Sequence, residues 1–334
     1  GPVIDPLGGG RSAAERALDL RALETFLAVV DTGGMTAAAQ RLGISQSAVS
    51  QTVKQLEQAL DAVLLDREMR PLALTRAGEV LYDYARRIWR DIGDATDAVR
   101  QEAGASAGLV AIGFVDSFAA TIGPSVAVRI RDRWGSCAVY SGQSAMQAEA
   151  LRRRELDIVV TSDDALLSEP AITTRPLLAE PVIMALPADH KADPTQLDQV
   201  VRDLTLISYS ERAALGRQVA LHLRRLRLSP RIDLAFDSTS AVLAMVDAGV
   251  GFALTTPLCA LPTRPRFQNV RFHPMPGPAL KRYLAISHHA YERESLTADV
   301  AATIMGSLHN TWLARIAEVA EWVPDRIEVL GVEH

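Results

Sequence analysis

"SQSAVSQTVKQLEQAL", residues 45–60, sets two rows of residues along one helix. Val49, Val53, Leu56 and Leu60 recur at helical spacing, as residues packed on a core do. Between them run Gln46, Ser47, Ser50, Gln51 and Lys54, where a solvated face would ordinarily carry Glu and Lys. Short hydroxyl and amide side chains let a helix lie deep in a major groove and reach base edges or phosphates. The bland alternative, a polar solvated helix, loses ground to what flanks the stretch. Upstream, Asp19 can cap a helix with Leu20, Leu23, Phe26, Leu27 and Val30 on one face, stopped by Gly33 and Gly34. Thr36 can cap a short second helix ending at Gly43, and Ser45 can cap the third. Helix, glycine-containing turn, helix is the spacing of a helix-turn-helix. Thr36 at the second helix joins the expected DNA contacts.

Downstream, Arg67, Arg70 and Pro71 read as a short basic wing beside the DNA backbone, and Thr75 as the cap of a long helix. In that helix Leu81, Ile88 and Ala95 fall seven apart, as do Ala85, Ile92 and Val99. Two such rows make a short coiled-coil seam, although a helix packed on its own domain would show them too. A seam pairs two chains, and pairing suits a pseudo-palindromic promoter site on double-stranded DNA.

Length and charge bound the rest. A chain of 334 residues holds two or three domains, and a net charge of −5 confines nucleic-acid binding to a local surface. No apolar run approaches the roughly 20 residues needed to span a bilayer, so no membrane partner is expected. Two cysteines, Cys137 and Cys259, fit a reducing cytoplasm. Residues 1–17 read as a cleavage remnant and flexible tail. Metal-ligand spacing, a phosphate-cradling loop and a nucleophile elbow are all missing from the sequence, so no catalytic residue, metal or cofactor is expected. The adjacent His288 and His289 follow a strand pattern and would point to opposite faces. An enzyme fused to a DNA-binding domain, and a thiol switch using the two cysteines, stand as the rivals.

Beyond the Gly/Ala/Ser stretch of residues 101–108, a hinge by composition, strand-like runs alternate with helical patterns in two series. Alternation of this kind predicts α/β units on largely parallel sheets, with ligands at the carboxyl ends of the strands. Hydroxyls dominate the residues following the expected strands. Ser117, Phe118, Ser141, Thr161, Ser208, Tyr209, Ser238 and Thr255 are the expected effector contacts, although helix capping explains any one of them alone. No Arg or Lys stands at these ends, although Arg212 follows closely. Asp163 and Asp164 would disfavour an anion if they face the ligand, which favours a small, partly apolar molecule with hydrogen-bonding groups.

With "LRALETFLAVVDTGGMTAAAQRLGISQSAVSQTVKQLE" followed by "LLDREMRPLALTRAGEVLY", the chain resembles the LysR-type transcriptional regulators. The motif-level match covers roughly residues 18–100 and extends more loosely to about residue 310. The resemblance implies an N-terminal all-α winged helix-turn-helix and an α/β effector domain of two subdomains like a periplasmic binding protein. It also implies a small-molecule effector between them, and a homodimer or a homotetramer built from two kinds of contact. The expected order is a tail over 1–17, the winged domain over 18–75, a linker helix over 76–104 and the effector domain over 105–312. Subdomain I takes about 108–180 and 283–312, subdomain II about 181–282, and an extension runs over 313–334. Three positions depart from the family pattern: Gln51 stands where an Arg is common, Leu65 where a Phe is usual, and Leu60-Asp61 where Leu-Gly is common. The first removes a phosphate contact; the last puts the turn into the wing in doubt.

Overall fold

The computed structural model describes residues 12, 14, 17–69, 72–102, 108–162, 164–169 and 171–330. It divides into two compact units, one reaching Thr96 and taking in Ala290–Glu292, the other holding the remainder.

The first unit is built on three helices. Asp19 caps α1 (Leu20–Thr32) by accepting the Ala22 N–H at 2.7 Å, and Gly33 ends it in the left-handed region. The next helix, α2 (Met35–Leu42), starts at Gly34 with no side-chain cap. Thr36 therefore lies inside the helix, two residues past the cap position. Ser45 caps α3 (Gln46–Leu60) through the Ala48 N–H. Phe26, Val49, Val53 and Leu56 are fully buried together, so the apolar row of α3 faces the other two helices. The wing is a two-residue antiparallel ribbon, β1 (Leu65–Asp66) with β2 (Ala73–Leu74). Arg70 and Pro71 lie outside the described residues.

Thr75 then opens α4 (Arg76–Glu102), its hydroxyl accepting the Gly78 N–H and donating to the Val63 carbonyl. Gly78 is required there, because a Cβ would collide with the Leu64 carbonyl oxygen. Each apolar row of α4 divides along its length. Leu81 and Ala85 pack on this unit's own core, whereas Ile88, Ala95 and Val99 are exposed.

The second unit contains two subdomains. A six-stranded mixed sheet has the order β13-β6-β12-β5-β3-β4. Its strands are β3 (Val110–Phe114), β4 (Cys137–Ser141), β5 (Ile158–Thr161), β6 (Ile172–Pro181), β12 (Lys281–His289) and β13 (Glu328–Val329). Between β3 and β5 come α5 (Asp116–Thr121), α6 (Gly123–Trp134) and α7 (Ser144–Arg152). The helix expected near residues 119–134 is thus two helices, broken at Ile122 and restarted with Pro124 in its first turn.

The other subdomain pairs β7 (Ile183–Pro187) with β10 (Ala253–Thr255) and β11 (Val270–Pro274), both antiparallel. Beside them β8 (Ile207–Tyr209) runs parallel to β9 (Leu234–Phe236). Helices α8 (Leu197–Asp203), α9 (Ala214–Arg225), α10 (Thr239–Asp247) and α11 (Pro257–Ala260) connect them. The six-stranded sheet is mixed and the three-stranded one antiparallel, so the sheets are not largely parallel. The reason is connectivity: β6 carries the chain out of the first sheet and β12 brings it back, antiparallel to both β5 and β6. Helix α12 (Glu294–Ser307) follows β12 and packs with α6. In the C-terminal segment, α13 (Leu313–Ile316) and the residues after it bury Ile316, Val319 and Val323 in this unit's core, and β13 extends the sheet along β6.

Candidate functional site

Two surfaces carry the candidate residues, one in each unit. In the first, burying Val49, Val53 and Leu56 turns the opposite side of α3 outward. Gln46, Ser47, Gln51 and Lys54 are exposed, and Ser50 is half-buried; Thr36 on α2 is exposed as well. The Ser47 hydroxyl lies 2.9 Å from that of Ser45. Glu57 ties this helix to the wing: one carboxylate oxygen accepts the Leu64 and Leu65 N–H groups, and the other meets Arg67 at 3.1 Å. Arg67 is exposed beside the helix. Leu65 is buried with the core, so its departure from the aromatic residue of the family pattern is a packing change.

In the second unit a cleft opens between the two subdomains, in two adjoining cavities. The larger, about 660 Å³, is walled by Ala119, Ala120, Pro124, Ala127, Val139 and Pro262, with Ser141, Ser238, Thr239 and Thr263 supplying hydroxyls. The smaller, about 70 Å³, is lined by Gln143, Ser144, Ser162, Tyr209, Ala213–Leu215, Asp237 and Arg282, among others. Asp116, Ser117, Thr239 and Cys259 border both. Volumes of this order suit a small ligand.

Of the expected effector residues, the fold brings Ser117, Ser141, Tyr209 and Ser238 to these walls. Four do not line them. Phe118 is fully buried, edge-on to Phe114. Thr161 is buried on β5, and Ser162, the next residue, lines the cleft instead. Ser208 turns its hydroxyl back onto the Tyr209 carbonyl. Thr255 is fully buried and hydrogen-bonds the Tyr209 hydroxyl at 2.8 Å, with Thr239 on the same hydroxyl at 3.0 Å. Burial pushes the Tyr209 phenol up, and the neighbouring Cys259 pushes the same way, so it stays a neutral hydrogen-bonding group.

Arg282, at the start of a strand rather than its carboxyl end, brings to the cleft a cation that the strand ends lack. It sits at the start of β12, in register with Glu180 at the end of β6, where both strands cross between subdomains. Its Nε donates to Glu180 Oε1 at 2.7 Å and its Nη2 to Ser117 at 3.0 Å. The other Glu180 oxygen accepts the Leu258 N–H. Burial alone would lower the Arg282 guanidinium; Cys259 and Glu180 outweigh it and hold the group above its ordinary value. Asp163 and the hinge residues 103–107 lie outside the described residues. His288 and His289 are taken up within β12 and its surroundings, the latter bonding the Leu151 carbonyl at 2.7 Å.

Residues 103–306 match the family model described as LysR substrate binding domain, and residues 20–79 the one described as bacterial regulatory helix-turn-helix protein, lysR family. The transcriptional regulator ShiR of Corynebacterium glutamicum (strain R) is 30% identical over 246 residues, 72% of this chain and 83% of its own. The regulator BudR of Raoultella terrigena is 29% identical over 294 residues, 83% and 96% of the two chains. Among solved structures, a peroxide-bound cysteine variant of Corynebacterium glutamicum OxyR aligns with a TM-score of 0.53 at 22% identity. That alignment covers 91% of this chain and 95% of OxyR, a likeness of fold. The described residues contain no helix long and apolar enough to cross a membrane. The chain belongs to the LysR family: it is a DNA-binding transcriptional regulator whose activity a small-molecule effector modulates.

Proposed function

We propose that α3 reads promoter DNA through Gln46, Ser47, Ser50, Gln51 and Lys54, with Thr36 from α2 and Arg67 and Arg70 of the wing gripping the backbone. The exposed Ser/Gln face of α3 carries this reading, because its core face is fully occupied by Val49, Val53 and Leu56. Phosphate contacts fix register and base contacts fix sequence, so the two sets of residues separate experimentally. In quantitative gel shifts, a Gln46→Ala, Ser47→Ala double variant should change base preference by about 1–3 kcal/mol at the affected pairs. Arg67→Ala should weaken all sequences alike. Unchanged preference in the double variant would remove α3 from the reading role.

The effector is proposed to lie in the cleft, against Ser117, Ser141, Tyr209 and Ser238. Its binding biases how far the subdomains close, and closure respaces the DNA-binding heads of paired chains on two half-sites. The paired state is a homodimer or homotetramer joined along α4, the target a pseudo-palindromic site, and the setting the cytoplasm. The relatives are named as transcriptional regulators, and this supports a switch without catalysis of its own.

A further inference from the structure

The smaller cavity of the cleft brings uncapped helix starts and carboxylates together, and this says what kind of molecule completes it. Three helices of nine, twelve and nine residues, α7, α9 and α10, start without a side-chain cap. Their first residues, Ser144, Ala214 and Thr239, line the smaller cavity. Free N–H groups and the helix dipole favour an anionic acceptor there. Yet the same cavity is bordered by two carboxylates from opposite subdomains, Asp116 after β3 and Asp237 after β9. Asp116 accepts the Ser141 hydroxyl and Asp237 the Ser210 hydroxyl, bonds that leave both negative charges standing. Arg282 does not offset them, because Glu180 already takes its charge in a buried pair. Arg266 donates to the hydroxyl of Ser240, a residue of the larger cavity, at 3.4 Å. A bare carboxylate ligand would meet two like charges, and a bare amine would leave three helix starts without an acceptor.

We propose that the effector is a zwitterionic amino acid with an apolar side chain: its carboxylate at the starts of α7, α9 and α10, its ammonium between Asp116 and Asp237, its side chain in the larger cavity. This deepens the cleft assignment and rests on it. The apolar wall of Ala119, Ala120, Pro124, Ala127, Val139 and Pro262 receives the side chain. The two carboxylates give the ligand a means of control. An ammonium bridging Asp116 and Asp237 gains most when the subdomains are drawn together, which is the differential affinity a switch needs.

The test is calorimetric titration of the full chain with L-leucine, L-methionine, L-phenylalanine and L-tryptophan. Each is paired with its amide, which lacks the carboxylate, and its deaminated acid, which lacks the ammonium. At least one amino acid should bind, with both of its analogues about tenfold weaker or worse, as expected for loss of a charge-assisted bond. Asp237→Asn, checked for an unchanged melting temperature, should weaken the amino acid by a similar factor and close its gap to the deaminated acid. Binding of the deaminated acid as tight as the amino acid, indifference to Asp237→Asn, or no binding by any of the four overturns the proposal. Ala120→Trp, which fills the larger cavity, separates this from failure of the cleft itself. If a carboxylate or neutral compound binds instead and Ala120→Trp abolishes it, the amino-acid class falls and the cleft stands. A compound that ignores Ala120→Trp removes the cleft as well.

Discussion

Asp61 ends α3 with φ 48° and ψ 43°, a left-handed conformation that glycine adopts without cost. The turn into the wing therefore keeps the path a Leu-Gly pair would give it, and the departure from the family pattern is carried as backbone strain. The Asp61 N–H closes the helix on the Gln58 and Glu57 carbonyls, so the geometry is held from both sides. Replacing Asp61 with Gly should raise stability by ~0.5–1 kcal/mol, the αL penalty less the extra entropy of an unfolded glycine. Urea denaturation of the two proteins decides it, and a destabilised glycine variant would show that the aspartate side chain compensates locally. A similar one-residue precision governs the cleft. Thr161 and Ser162 are neighbours, yet the first is sealed in the sheet and the second reaches the cavity.

At the scale of an element, α4 shows how one apolar pattern divides between two uses. Leu81 and Ala85 stack on Leu23 and Leu27 of α1, which accounts for the first turns of both rows. Off that face of the helix Tyr84 is 56% exposed, with the Arg87 guanidinium over its ring, and Ile88 is 37% exposed. A partner helix would bury them, and charge placed there would be costly to desolvate. The variant Tyr84→Asp, Ile88→Asp should therefore lower the mass seen by light scattering to that of a single chain while leaving the melting temperature of the first unit little changed. Assembly that persists would move the interface off this face. The spacing of the rows was legible in the sequence; which turns stay free was not, because that depends on how much of α4 the α1 helix reaches.

In the effector-binding unit as a whole, the two strands that cross between subdomains meet at the Glu180–Arg282 pair. Glu180 is fully buried and Arg282 nearly so, and Ser117 at the cleft floor is bonded to the same guanidinium. The crossing strands join the two subdomains, so this pair stands at the junction between them. Arg282→Met leaves a buried carboxylate without its partner and should cost about 3–5 kcal/mol in denaturant unfolding. Glu180→Gln keeps an acceptor for the Leu258 N–H and should cost less. A loss under about 1 kcal/mol for Arg282→Met would mean the pair is solvated and adds little to the crossing.

The sequence by itself determined the local structure: the caps at Asp19, Ser45 and Thr75, the glycine stops, and the polar face of α3 opposite its buried row. These follow from a side chain's distance along one helix, which spacing alone sets. It also marked the strand ends where hydroxyls gather, and so located the mouth of the cleft. What tertiary structure decided was depth and long-range arrival. Strand-end position does not say whether a residue faces the sheet core or the opening, so Phe118, Thr161 and Thr255 went inward. Nor does it reveal an antiparallel return, which brings Arg282 to a register partner 102 residues earlier in the chain. Contacts of that separation are fixed by sheet pairing and packing of the whole unit, where no local pattern records them.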